Sequence, residues 1–270
     1  MIPMKKLCFL LLCAACTQAP VEPPTPAQVF AEGIWIDLTH PFSDSTLYWP
    51  NNKIGFHLDT LFNGTTPGGF FYSSYQFCAP EHGGTHLDAP IHFAAGRWSC
   101  DEIPPERLSG NAVVVDVSKK ALQNRDYLVS TEDLTTWETE NGPLPEGSFL
   151  LLRTGYGKFY PDRLEYFGTA RMEEEAVAEL HFPGLDPQAA EWLVKNRKVK
   201  AVGLDTPSID YGQSKDFKSH QVLLGENILV FENVAHLDQL PSTGAYVMAF
   251  PMKIAGGSGG PLRILGWVKK

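Results

Sequence analysis

The sequence predicts a single α/β domain, strand-rich with flanking helices. Short apolar or alternating runs, the signature of strands, recur from residue 34 to residue 268 and far outnumber helical patterns. No linker and no repeat interrupts that span. A chain of 270 residues, 43% hydrophobic and 11% aromatic, is also long and apolar enough to bury a core without staples. Five cysteines are too few for a disulfide scaffold. With 22 Lys+Arg against 31 Asp+Glu, a formal charge of −9, there is no basic footprint and nucleic acid is not expected as a partner.

The chain starts with an address. Lys5 and Lys6 precede the apolar run 7–12, and the small residues Ala14 and Ala15 precede Cys16. A positive start, a short apolar run and small residues make a secretory signal, and the run is too short to span a bilayer. Residues 1–15 are therefore expected to be a signal peptide. The site resembles a bacterial lipoprotein cleavage site, with Cys13 where that pattern usually carries Leu and with Cys16 as the lipidated first residue. Residues 16–33 follow as a tether, proline-rich and extended over 19–28. This predicts an exported protein, anchored through its lipid or periplasmic, with the folded domain at 34–270. Losing 1–15 removes two lysines and no acid, which makes the remainder more acidic.

Within the domain, 34–40 (IWIDLTH) reads as a strand. Residues 54–59 and 70–78 alternate imperfectly and are aromatic-rich, as strands facing a core often are. The runs 112–117, 149–153, 199–204 and 228–231 read as buried strands, and 246–250 and 262–268 close the chain. Asp186-Pro187 opens a helix, with an N-cap oxygen followed by a residue suited to the first turn. Ser130 and Asp133 stand at capping-box spacing before another. Residues 171–180 have helical composition, soon ended by Pro183-Gly184.

The densest chemical signal is the stretch from Glu81 to Phe93, where His82, His86 and His92, three of the eight histidines, fall within eleven residues beside Asp88. Imidazole and carboxylate are ligands that Zn²⁺ or Mn²⁺ accepts. Gly83 and Gly84 disfavour a helix, so His82 and His86 are not a helical pair; a turn followed by extended backbone puts His86 and Asp88 on one face. Further ligands are expected downstream, at His220 and at Glu232, an acid ending an apolar strand.

The string His82-x-Gly-Thr-His86-x-Asp88-x-Pro-x-His92-Phe93 resembles the signature of the metal-dependent cyclase family, which includes bacterial kynurenine formamidase and isatin hydrolase. The resemblance runs over roughly 34–266, through Asp37–His40, Trp49-Pro50, Arg153–Gly155, Phe182–Gly184, Asp205–Asp210, Glu232-Asn233 and Pro251–Arg263. It implies the swivelling β/β/α fold of that family. It implies His82, His86, Asp88, His220 and Glu232 as metal ligands, with Asp88 and Glu232 bridging where two ions are held. It implies His92 as proton donor or acceptor and Trp49 as a substrate contact. One or two ions of zinc or manganese would then activate water against a small amide, formamide or cyclic amide, with His92 as the proton shuttle. The expected partner is a small aromatic or cyclic amide, and the expected assembly a homodimer or larger. The alternative is a surface-tethered protein that binds metal or small molecules without turnover.

Phe70, Phe71 and Tyr72 could add an apolar wall to the pocket or pack in the core. Gly256–Gly260 satisfies G-x-S-x-G around Ser258, but Pro261 and a strand-like run follow where a nucleophile elbow needs a helix. It reads as a flexible glycine loop bordering the site. His40, His57, His181 and His236 read as structural or surface residues, and Cys78 and Cys100 as two thiols in a setting that would permit a disulfide.

Overall fold

The computed structural model describes residues 25–270. The proposed signal, the lipidation site Cys16 and residues 17–24 of the tether lie outside the described residues. Twelve strands are present among the described residues: β1 Gly33–Asp37, β2 His57–Thr65, β3 Phe71–Cys78, β4 His86–Asp88, β5 Ser109–Asp116, β6 Leu128–Val129, β7 Phe149–Arg153, β8 Gly184–Leu185, β9 Ala201–Leu204, β10 Leu229–Glu232, β11 Ala245–Pro251 and β12 Gly259–Lys269. The helices are α1 Pro26–Ala31, α2 Ser118–Ala121, α3 Thr131–Asn141, α4 Arg163–Phe167, α5 Pro187–Asn196 and α6 Lys218–Gly225.

Eight strands form one sheet in the order β1-β12-β11-β5-β7-β9-β10-β4, and β4 also pairs with β12. That last pairing closes the sheet on itself. The neighbours β5, β7, β9 and β10 are parallel, whereas β4, β11, β12 and β1 join antiparallel. The parallel strands are apolar on both faces because both are covered. Alternate residues point opposite ways. Val113, Val115, Leu150 and Leu152 pack outward with Leu193 of α5 and Leu223 of α6. Ala112, Val114, Phe149 and Leu151 pack inward with Phe231, Val247 and Ile264. The single strand-rich α/β domain with flanking helices is the expected architecture.

The predicted helix starts hold. Ser130 and Asp133 complete a capping box at α3, and the Asp186 side chain accepts from the Gln188 N–H at α5. Residues 171–180 wind only into a 3₁₀ turn, Glu174–Glu179. Three further helices were not expected: α2, α4, which Asp162 caps and Gly168 ends, and α6, which holds His220.

Two expectations are corrected. The end of the tether is not extended: Thr25 caps α1, Pro26 takes the first helical position where its missing N–H costs nothing, and Gln28 closes a capping box. Nor do 54–59 and 70–78 face a core. Strands β2 and β3 pair only with each other, as an exposed ribbon. Phe70, Phe71 and Tyr72 lie on it, 62%, 69% and 50% exposed, so they belong neither to a pocket wall nor to the core. Aromatic alternation reports a pleated surface that wants cover, and does not say whether the cover belongs to the same chain.

Candidate metal centre

Strand β4 lies between β10 and β12, and its three residues are buried. Leu87 points into the inner core, so His86 and Asp88 share the other face, as the period-two reading required. Glu232 is the β10 residue directly opposite His86 in the antiparallel register. His82 arrives through the turn at Gly83-Gly84. Gly84 has φ +57°, and a Cβ on Gly83 would stand 2.1 Å from the Tyr48 ring, so that turn admits only glycine. His220 comes from α6.

Together these side chains make two triads, His82–His86–Asp88 and Asp88–His220–Glu232, that share Asp88. Asp88 Oδ1 lies 2.7 Å from His82 Nδ1 and 3.1 Å from His86 Nε2. Its Oδ2 lies 3.3 Å from His220 Nε2, which is 3.1 Å from Glu232 Oε1. The five expected ligands are thus brought together from three separate segments of the chain: 82–88, α6 and β10.

A divalent cation fits this donor set. His86 Nε2 is buried and makes no hydrogen bond, although it faces Asp88 and Glu232. Such an orphaned atom is costly unless an ion takes its lone pair. The outer ring nitrogens are held by other groups, as in metal sites generally. His86 Nδ1 is 2.9 Å from the Gly84 carbonyl oxygen, and His220 Nδ1 is 2.7 Å from Asp210 Oδ2. Both must donate there, which leaves each Nε2 bare and aimed inward.

Without the cation the electrostatics are severe. Burial opposes charge on His86, but Asp88 and Glu232 outweigh it and push its pKa up to about 9. Burial likewise opposes charge on His220, yet Asp210, Asp88 and Glu232 hold it well above the ordinary value. Burial raises Asp88, but the three histidines hold its carboxyl well below the usual range. Glu232 goes the other way, raised by burial and by Asp88 beside it. Protons on the histidines do there what a cation would do.

The triads floor a cavity of about 250 Å³. Leu47, Trp49, Phe93, Phe167 and Phe217 supply apolar lining, and Asn51, Asn52 and Ser208 add polar groups. Trp49 lines the cavity, packed edge-on against Phe167 and Phe182. His92 also lines the cavity, stacked on the His82 ring at 3.8 Å, and burial lowers its pKa to about 4. Asp205 does not reach the cavity; its carboxylate accepts from the backbone N–H groups of Thr154, Gly155 and Gly157.

Sequence reasoning missed Asp210 as a partner of His220, and Phe167 and Phe217 as walls. An aspartate ten residues before a ligand histidine was the one available signal. The glycine loop is not loose: Cys100 N–H donates to the Gly257 carbonyl, Ala89 N–H to the Ser258 carbonyl and Gly256 N–H to Asp101. Ser258 Oγ, His82 Nε2 and Asp88 are in line at serine-hydrolase spacing, but Ser258 is not among the cavity residues and its hydroxyl donates to Glu81. Cys78 and Cys100 are both free, one exposed and one buried.

Comparison with known proteins agrees with this geometry. The cyclase family profile matches residues 36–211. Isatin hydrolase from Roseibium aggregatum is 31% identical over 210 residues, 75% of this chain and 77% of that protein. Kynurenine formamidase from Bacillus cereus is 25% identical over 232 residues, 85% of this chain and 95% of that one. Among solved structures, isatin hydrolase A from Ralstonia solanacearum superposes with a TM-score of 0.80 at 32% identity, over 93% of this chain and all of the other. An isatin hydrolase bound to the product analogue thioisatinate gives 0.79 at 29% identity, over 89% of this chain and 94% of that one. On fold, centre and sequence together, the chain belongs to the cyclase family, and it is a hydrolase of that family.

Proposed function

We propose that the protein hydrolyses a small aromatic cyclic amide or formamide, with two divalent cations, zinc or manganese, held by the two triads. The observation that carries this reading is the pair of triads sharing Asp88 on the floor of an aromatic-lined cavity. A bound divalent cation supplies a polarised carbonyl and a water that ionises near neutral pH. His92 is uncharged at neutral pH and free to accept the proton of the attacking water, then to return it to the leaving nitrogen. The water oxygen bonds to the carbonyl carbon, the C–N bond breaks, and carboxylate and amine result. Trp49 and Phe217 flank the ring of the substrate. Isatin-like cyclic amides come first and N-formylkynurenine second, because the more similar relatives are isatin hydrolases. The test is turnover of isatin, formanilides, N-formylkynurenine and lactones by protein of measured zinc or manganese content. Full activity after complete chelation overturns the reading.

Two further parts belong to it. The chain is exported and anchored through a lipid on Cys16, supported by Lys5, Lys6 and the apolar run before it. Among the described residues no helix is long and apolar enough to cross a membrane. Labelled fatty acid in the wild type, and none in Cys16→Ser, is the expected result. The protein also self-associates through the β2–β3 ribbon. Leu58, Phe71, Tyr75 and Phe77 share one face of it and are 51%, 69%, 46% and 52% exposed, an apolar face left uncovered by the other described residues. Asp59, the ribbon's one acid, is held within the ribbon, 2.9 Å from His57 Nε2 and accepting from Gln76 Nε2 at 3.1 Å.

A further inference from the structure

The ring nitrogen that His82 presents to the centre is the reverse of the one that His86 and His220 present. Those two donate from Nδ1 and aim Nε2 inward. His82 turns Nδ1 towards Asp88, 2.7 Å away, and Nε2 towards the Ser258 hydroxyl, 2.8 Å away. Something must decide which nitrogen carries the proton, since a hydroxyl can either donate or accept.

The decision lies one bond further out. Ser258 has one hydroxyl proton, and Glu81 Oε2 stands 2.7 Å from its Oγ and 3.0 Å from its backbone nitrogen. A carboxylate oxygen accepts from both. With its proton spent on Glu81, Ser258 Oγ can only accept, so His82 must donate from Nε2. Nδ1 is then a bare lone pair set against a carboxylate oxygen at 2.7 Å, a meeting of two acceptors that a metal ion resolves in the loaded protein and a second proton on His82 in its absence.

The geometry around this pair is built tightly. Gly259, next to Ser258, lies so close that a Cβ there would stand 2.7 Å from His82 Cε1. The loop backbone is tied down by the Gly257 and Ser258 carbonyls described above, and the hydroxyl itself is held between Glu81 and His82. The G-x-S-x-G string of the sequence, which no part of the hydrolytic reading uses, finds its place here.

We propose that Glu81 and Ser258 are positioning residues: they fix the Nε2–H tautomer of His82, make Nδ1 its ligand atom, and thereby tune the His82–His86–Asp88 triad without touching the other one. The inference rests on the metal reading above, and deepens it by naming what sets one of its two subsites.

Two measurements test it, neither of which depends on turnover. The first uses wild-type protein labelled with ¹⁵N-histidine and loaded with zinc. The expected ¹⁵N spectrum shows His82 protonated at Nε2 and zinc-bound at Nδ1, with His86 and His220 the other way round. Zinc on Nε2 of His82 overturns the proposal while leaving the metal reading intact; no zinc at either triad overturns both. The second is equilibrium dialysis with zinc alone. Ser258→Ala is expected to weaken one of two zinc sites by about 10–100-fold, the range for losing an outer hydrogen-bond partner. Ser258→Thr, which keeps the hydroxyl, is expected to restore it. Adding Glu81→Ala to Ser258→Ala is expected to change nothing further, because both act through one hydrogen bond. Unchanged affinity in Ser258→Ala, or equal loss at both sites, overturns the proposal.

Discussion

Residues 57–78 put Phe71 69% and Phe77 52% into solvent, whereas the stretch immediately downstream leaves His86 and Asp88 only 2% and 1% exposed. A ribbon of aromatics faces out and a cluster of ionisable groups faces in, the inverse of the ordinary partition. Both arrangements are expensive for an isolated chain. A two-stranded hairpin is marginal unless its apolar face is covered, and unpaired charges in a core are worse. The two regions differ in what would offset that cost: on the function proposed above, a second copy in one case and cations in the other. The Trp49–Asn52 stretch, which lines the cavity, leads into the ribbon, and Glu81-His82 leads out of it, so the two open debts lie side by side.

The sharpest break in this contrast comes from Asp88→Asn. Because Asp88 serves both triads, zinc content is expected to fall to background at both and turnover to vanish, read by elemental analysis and by assay. His92→Ala should separate chemistry from binding: turnover down by about 10²–10⁴, the usual worth of a positioned proton carrier, with metal content unchanged. On the ribbon side, Phe71→Ser with Phe77→Ser removes two large exposed surfaces, each worth roughly 1.5–3 kcal/mol when buried. Light scattering is expected to show monomers at concentrations where the wild type pairs, with zinc affinity retained. An unchanged oligomer would break the comparison.

A buried histidine outside both regions sharpens it. His40 Nε2, like His86 Nε2, has no hydrogen-bond partner, but no carboxylate answers it. Burial, helped by His236, lowers the His40 pKa from 6.5 to about 4, whereas that of His86 rises to about 9. Between about pH 6.5 and 4 the unfolded chain therefore binds the His40 proton that the folded one refuses. This contribution to stability is full above 6.5 and is lost as pH falls towards 4. His40→Gln is expected to lose less of its melting temperature than the wild type between pH 7 and pH 5 (on the order of 1–3 kcal/mol). The smallest effect is expected at a helix start: Asp186→Ala removes the cap of α5 and should cost about 1 kcal/mol in urea melts, with the metal centre untouched.

Much of this was legible from residues alone. The buried strands β5, β7, β9 and β10 announce themselves as apolar runs because both their faces are covered, and the caps of α3 and α5 depend on residues two or three apart. The pairing of His86 with Asp88 follows from period two. Helix α6 escaped notice because Lys218–Gly225 has a weak amphipathic pattern and its first-turn N–H groups are capped by Asp210, outside the helix, rather than by the residue that precedes it; its place comes from packing against β10 and α5.

What the sequence by itself determined is local: which segments extend, where α3 and α5 start, and which histidines and acids cluster. Backbone periodicity and capping act over a few residues, so they are written in short strings. Only the tertiary structure decided that the sheet closes through β4 and β12, and that the aromatic ribbon turns outward. It alone set Asp210 behind His220, and Ser258 behind His82 across 176 positions of chain. Those contacts depend on register and on the path of the backbone through space; apart from the ten-residue offset of Asp210 from His220, no spacing along the chain records them.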